Sequence, residues 1–295
     1  MQETIKRLLE DRPKQMMIIP IVLMLLALGF LLSVQSSTGE LIQKDVSLSG
    51  GMTLTVYTDN TINLETLQSS LQEHFEEVVI RALSEFGTDR TIGFVIETSA
   101  MDEETMRSTV QESTGIILTE ENMSIEVVGS SLGESFYDQM VRALVFAFIF
   151  MSAAIFITFR KWAPSLAVVI VALGDLAITV AILNIMDVRI SSAGIAALLL
   201  LMGYSIDTDV LLTTRILKRR QGTIFDGVWS SMKTGLTMTA TTIAALFVAY
   251  LVSSSLVLKQ MFMIIMIGLL VDIILTYLFN APFLALYAKK QESGK

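Results

Sequence analysis

The chain has 295 residues, of which 53% are hydrophobic and 17% charged, and its mean hydropathy is +0.63. Soluble domains carry about 25% charged residues, so this composition weighs against a water-soluble enzyme and for an integral membrane protein. The net charge of −8 argues against a nucleic-acid partner, the absence of cysteine rules out disulfides, thiolate metal sites and cysteine nucleophiles, and one histidine, His74, leaves no histidine-rich metal centre and no serine–histidine–aspartate triad.

Residues 1–15 form a polar tail with Arg12 and Lys14 just before the first apolar run, 16–34. That run is long for a cleaved signal and lacks a clear small-x-small site, so it reads as a retained anchor. Pro20 falls in its expected first turn, where a missing N–H costs little. Residues 35–138 are polar and long enough for an independent domain. Five further spans are expected at 139–159, 164–186, 190–213, 234–254 and 260–287, followed by a tail at 288–295. The plan is one helix, one domain, then a five-helix bundle.

Within the polar segment, residues 52–58 alternate as a strand does, after the pair Gly50-Gly51. Asn63 is placed to cap a helix beginning LETLQSSLQ. Two strand-like runs follow, 77–83 and 91–97, joined by a turn at Gly87-Thr88-Asp89. Asp102 caps a second helix with an acidic first turn, as the helix dipole favours, and a last strand covers 124–128. The order β-α-β-β-α-β is the split βαβ of ferredoxin-like domains. The expected fold is therefore a polytopic α-helical membrane protein with an α+β domain between its first and second spans. His74, between the first helix and second strand, reads as a boundary residue and not a ligand.

Basic residues orient the spans. Lys6, Arg7, Arg12 and Lys14, then Arg160 and Lys161, then Arg215, Lys218, Arg219, Arg220 and Lys233, then Lys289, Lys290 and Lys295 all fall on one side, 14 of the 21 Lys and Arg. That side is expected to be cytoplasmic, with both termini inside and 35–138 outside. The polar segment carries Lys44, Arg81, Arg90 and Arg107 against nineteen acidic residues, a net of −15. Such a surplus reads as solvated surface, since no EF-hand-like run is present. The glycosylation-type triplet Asn122-Met123-Ser124 lies on the outer side, a pattern short enough to arise by chance.

Ionisable groups inside a membrane are costly and point to function. Four aspartates fall in the expected spans. Asp175 lies ~16 Å from the inner start of its span and Asp272 ~18 Å into the last one, both near the bilayer centre. Asp207 lies ~25 Å from the outer start of the fourth span, with Asp209 deeper and turned by about 200°. Asp207 and Asp209 could pair with Arg215 or Lys233 and merely fix helix packing. Gly174, Gly203, Ser205, Thr208, Thr213, Thr214 and the threonines at 234, 237, 239, 241 and 242 suit close packing and hydrogen bonding, or a polar path. The 17 methionines read as apolar filler.

Several strings carry a resemblance. KDVSLSGG (44–51), with Asp45, Gly50 and Gly51, resembles the Asp-x-x-x-x-Gly-Gly segment that opens the outer domain of the SecF family of protein-export membrane subunits. VGSSLGESF (128–136) resembles the Gly-x-x-Gly-x segment closing that domain. GYSIDTDVLLTTRI (203–216), with Gly203, Tyr204 and Ser205, is similar to the family's Gly-Tyr-Ser-Ile-Asn-Asp-Thr-(apolar)-Arg-Ile motif. LGD (173–175) matches its His-Asp pair with glycine in place of histidine. Where bacterial members have Asn-Asp-Thr, this chain has Asp207-Thr208-Asp209, so threonine occupies the usual carboxylate position, as in the archaeal branch. Lys233 stands where a basic residue begins the fifth span.

The resemblance implies pairing with a SecD-like subunit, each supplying six helices to a twelve-helix body of the resistance–nodulation–division type. It also implies assistance to a SecY-type translocon, with the ion gradient moving the outer domains to draw the translocating polypeptide outward. No enzyme activity, cofactor or metal is implied, and the remaining surroundings are membrane lipid. Asp175 and Asp207 are the expected coupling pair, with Arg215 or Lys233 as counter-charge and Asp209 as alternate. A purely structural partner of SecD is the main rival. An intramembrane aspartyl protease is a weaker one, because Asp175 and Asp207 differ in depth by about 10 Å.

Overall fold

The computed structural model describes residues 2–58, 60, 62–75, 78–84, 91–218, 222–253 and 255–293. The expected turn at Gly87-Thr88-Asp89, Glu77 at a strand start, and Arg90, Arg219, Arg220 and Lys295 of the charge pattern lie outside the described residues. In chain order the elements are α1 (Gln2–Asp11), α2 (Pro13–Thr38), α3 (Val46–Ser49), β1 (Gly51–Tyr57), α4 (Leu64–Gln72), β2 (Val78–Ser84), β3 (Thr91–Thr98), α5 (Glu103–Thr114) and β4 (Met123–Val128). There follow α6 (Ser130–Phe159), α7 (Trp162–Ile185), α8 (Ser192–Leu217), α9 (Ile224–Val252), α10 (Leu256–Leu275), a π-helical turn (Thr276–Asn280) and α11 (Ala281–Ser293). Among the described residues, six helical segments are long and apolar enough to cross a membrane, the sixth being Leu256–Ser293. The chain divides into two compact units, one of residues 1–43, 142–189 and 193–295, the other of 44–141 and 190–192.

In the helical unit, Ala27 and Leu31 of α2 pack with Val171, Ile178 and Ala181 of α7 and with Val271 and Leu275 of α10. Two glycines set the helix spacing. A Cβ on Gly174 would meet Leu275 Cδ2 at 2.7 Å, and one on Gly268 would meet Leu201 Cδ2 at 2.1 Å. The helices can therefore approach where the sequence is small.

The boundaries differ from the sequence reading in informative ways. The first membrane helix starts at Pro13, so Pro20 lies well inside it and is buried, not in the first turn. Its missing N–H leaves one backbone carbonyl of the preceding turn without its helical partner. The tail is not irregular: α1 is an amphipathic helix whose Leu9 is buried with Leu212, Ile216, Ile224 and Phe225. α9 begins at Ile224 and not at 234, because Thr223 and Asp226 form a reciprocal capping box that stabilises its polar first turns. The fourth span starts at Ser192 and not at 190, since Ile190 pairs in an isolated bridge with Lys44.

The second unit is a four-stranded sheet, order β2-β3-β1-β4, with every neighbouring pair antiparallel. This is the split βαβ arrangement. Met52, Leu54 and Val56 of β1, Phe94 and Ile96 of β3, Leu67 and Leu71 of α4 and Met106 and Val110 of α5 form its core. Asn63 accepts from Glu65 N and Thr66 N, and Asp102 accepts from Thr105 N, so both caps are formed. The short α3 was not anticipated. Asp45 caps it, accepting from Ser47 N at 2.9 Å and Ser47 Oγ at 2.6 Å, and Asp45 N donates to Ile190 O at 3.2 Å. Asn122 is structural: its amide donates to Ile117 O and its oxygen accepts from Thr119 N.

Gly50 and Gly51 are required by both conformation and space. Their φ values are +81° and +125°, and added Cβ atoms would lie 2.3 Å from Ser130 Cα and 2.2 Å from Thr98 O respectively. A Cβ on Gly133 would meet Gly50 N at 2.6 Å. The two glycine-bearing strings that flank this unit are thus packed against each other.

Candidate functional site

The polar centre of the helical unit is built by three helices and the π turn. Asp175 projects from α7, Ser205, Thr208 and Asp209 from α8, Asp272 from α10, and Thr276 and Asn280 from the turn; all seven are buried. Ser205 Oγ donates to Asp175 Oδ2. Thr208 Oγ1 lies 2.8 Å from Ser205 O and 3.0 Å from Asp272 Oδ2. Thr276 Oγ1 lies 3.2 Å from Asp272 Oδ1 and 3.1 Å from Asp209 Oδ1, and Asn280 Nδ2 donates to Asp209 Oδ1 at 2.7 Å. A hydroxyl has one proton, so Thr208 and Thr276 can each serve only one of their two acceptors at a time.

The contacts run from Asp175 to Ser205, from Ser205 through Thr208 to Asp272, and from Asp272 through Thr276 to Asp209. Asp175 Oδ1 and Asp209 Oδ2 have no hydrogen-bond partner among the described residues, and neither do the buried hydroxyls of Thr179 and Thr213, one turn further along α7 and α8. Buried polar atoms are normally paired, so these four stand out in the polar centre. Among the described residues, no group of three or more carboxylate or imidazole side chains is arranged to hold a metal ion.

The expected pairing of Asp175 with Asp207 is not formed. Asp207 is exposed, and Asp209, turned away from it on the same helix, is buried and linked to Asp272 through Thr276. The expected counter-charges are also elsewhere. Arg215 Nη1 donates to Thr234 Oγ1 at 3.0 Å, and Lys233 is exposed. Gly203 and Tyr204 are exposed as well, while Ser205 lies at the heart of the cluster. Thr276 and Asn280 were missed. A signal was available: Asp272, Thr276 and Asn280 recur every four residues in an apolar span, with Pro282 just after.

Six apolar helices, a split βαβ unit inserted after the first, and carboxyls buried on three helices define a multi-pass membrane protein of transport type. Residues 109–290 match the family described as "Protein export membrane protein SecD/SecF, C-terminal". The chain is 33% identical over 291 residues to the protein-export membrane protein SecF of Pyrococcus furiosus, covering 99% of this chain and 96% of that one. It is 35% identical over 252 residues to SecF of Methanothermobacter thermautotrophicus, covering 83% and 84%. The chain belongs to the SecD/SecF family of protein-export membrane proteins, with archaeal SecF proteins among its relatives, and is not an enzyme. The crystal structure of SecDF from a Thermus species has the same fold, with a TM-score of 0.74 at 20% identity, over 95% of this chain and 38% of that longer one.

Proposed function

We propose that this chain is the SecF half of a two-subunit body that promotes polypeptide translocation, and that the ion gradient drives it through the buried carboxyl chain. The observation that carries this reading is the connection of Asp175, Asp272 and Asp209 across three separate helices by way of Ser205, Thr208 and Thr276. A proton moving along that chain changes which helix each carboxyl is bonded to, and so favours a shift of one helix against another.

A SecD-like half is the partner. Gly203, Tyr204 and Asp207 on α8 and Lys233 and Thr237 on α9 are exposed within membrane spans. Nothing lies within 4 Å of a Cβ added to Gly203. Lipid chains cannot solvate these groups, whereas helices of a second half can. The distribution of basic residues favours both termini and the α6–α7 and α8–α9 connections inside, with the split βαβ unit outside to meet emerging polypeptide beside a SecY-type translocon.

The test is affinity purification of the tagged protein from native membranes, followed by export assays on Asp175→Asn and Asp209→Asn. Recovery of a second six-helix protein together with loss of gradient-dependent export supports the reading. Normal export in both variants, with complexes at wild-type levels, leaves a purely structural partner of SecD.

A further inference from the structure

The last span leaves α-helical geometry once, at Thr276–Asn280, where the N–H of Ala281 reaches back to Thr276 O. Pro282 follows immediately. It has no N–H for the carbonyl of Leu278, and its ring would crowd that carbonyl in a regular helix. The wider turn accommodates it. A regular α-helix would carry Asn280 about 80° around the axis from Asp272. The π turn instead brings Asp272, Thr276 and Asn280 onto one face, where two donors, Thr276 Oγ1 and Asn280 Nδ2, converge on the same oxygen of Asp209.

We propose that this turn is a two-state coupling element: Asp209 as an anion holds it in the π form, and a proton on Asp209 releases it toward a continuous α-helix. Release turns α11 against α10 by one residue, about 100°. The inference rests on the ion-coupled reading above and names the element that moves. Hydrogen bonds to an ionised carboxylate are about twice as strong as neutral ones. A proton takes the charge from both bonds at once, and a protonated Oδ1 can no longer receive both donors. π turns are rare and concentrate at functional positions; once those bonds weaken, what still favours this one over a kinked α-helix is the Pro282 ring. The titratable groups facing the turn are Asp272 from α10, Asp209 from α8, Asp175 from α7 and the Tyr277 phenol on the turn, with Arg215 of α8 beyond it. α2 carries one such group, Lys14, at its start; those of α11, Tyr287, Lys289, Lys290 and Glu292, lie past the turn's far end.

The chain has no native cysteine, so single cysteines can report the rotation in the full-length protein in native membranes. Ala285 and Ala288 are buried and Lys289 is exposed. Cysteines at Ala285, Leu286, Tyr287, Ala288 and Lys289 should show slow maleimide labelling at Ala285 and Ala288 and fast labelling at Lys289. In Asp209→Asn, and in Pro282→Ala, the pattern of protection should move by one residue. An unmoved pattern in Asp209→Asn overturns the proposal, even if that variant loses export; the ion-coupled reading then stands without the turn. A moved pattern with normal export keeps the turn as a switch and removes the ion-coupled reading. Recovery of the partner subunit at wild-type levels separates either result from misfolding.

Discussion

Asp207 and Asp209, separated by a single residue on α8, occupy opposite environments: Asp209 is 0% exposed and bonded to Asn280, while Asp207 faces outward. Two residues turn a helix by about 200°, so one acid must face the bundle and the other must face whatever lies beyond it. Thr208 falls between them, and its hydroxyl lies 3.0 Å from Asp272 Oδ2 on α10, so the carboxyl beside that position comes from another helix.

The two acids should therefore separate functionally. Asp209→Asn is expected to reduce gradient-dependent export at least tenfold, an effect of about 1.4 kcal/mol on the coupled step, with the partner subunit still recovered. Asp207→Asn should instead weaken recovery of that partner in pull-downs, because its side chain lies on the uncovered face. Export rate and co-purification yield, measured on the same membranes, check both.

Gly235 leaves room for a phenol. A Cβ there would lie 2.1 Å from the Tyr277 hydroxyl but 3.5 Å from its ring carbon. Gly235→Ala should destabilise the helical unit by about 1–3 kcal/mol through overpacking. Tyr277→Phe in the same chain should restore most of that loss, since only the hydroxyl clashes. Thermal inactivation in detergent of the two single variants and the double variant measures the coupling.

A soluble fragment of residues 39–141 should fold by itself, with circular dichroism showing mixed helix and strand. The upper limit includes Gly133, which packs on Gly50. Asn63→Ala should cost about 1 kcal/mol by removing a cap. Gly51→Ala should be worse, because it combines strain at φ +125° with a backbone clash. Denaturant melts rank the three.

In the full chain, where residues 190–192 sit beside Asp45 and Ser47, the split βαβ unit has a pH dependence with a defined sign. Burial pushes the Asp45 carboxyl above its ordinary 3.8, against the hydrogen bonds from Ser47, and repulsion from Glu126 adds to the rise. The folded state thus holds that proton more tightly than the unfolded chain. Its contribution is fully present below 3.8 and is lost as pH rises through the folded value. Asp102 runs the other way. Its bonds from Thr105 lower it, so its contribution is present above its ordinary value and lost as pH falls through the folded one. Asp45→Asn should abolish the loss on the rising side and leave the acid side unchanged in melts across both windows.

Orientation is checked by single cysteines at Ser69, Ser230 and Ser293, all exposed in the structure. An impermeant reagent should label Ser69 from outside and the other two only from inside. Labelling of Ser69 from the cytoplasmic side would reverse the topology.

Local chemistry made much of this protein legible from its sequence. Apolar runs located six spans, because a membrane helix must satisfy its backbone within itself and present apolar side chains to lipid. Asn63 and Asp102 identified two helix starts, because a cap is a hydrogen bond between near neighbours. The alternating runs between them gave the split βαβ order. Tertiary structure decided what depends on how distant elements turn toward one another. It buried Asp209 and not Asp207, gathered Asp272, Thr276 and Asn280 through the π turn before Pro282, and sent Arg215 to Thr234. It also drew Ile190 out of the expected fourth span to meet Asp45, and set Ser192 at the helix start against Ser47. A rotation of one residue about a helix axis moves a side chain by about 100°, and only packing against neighbouring helices fixes that angle.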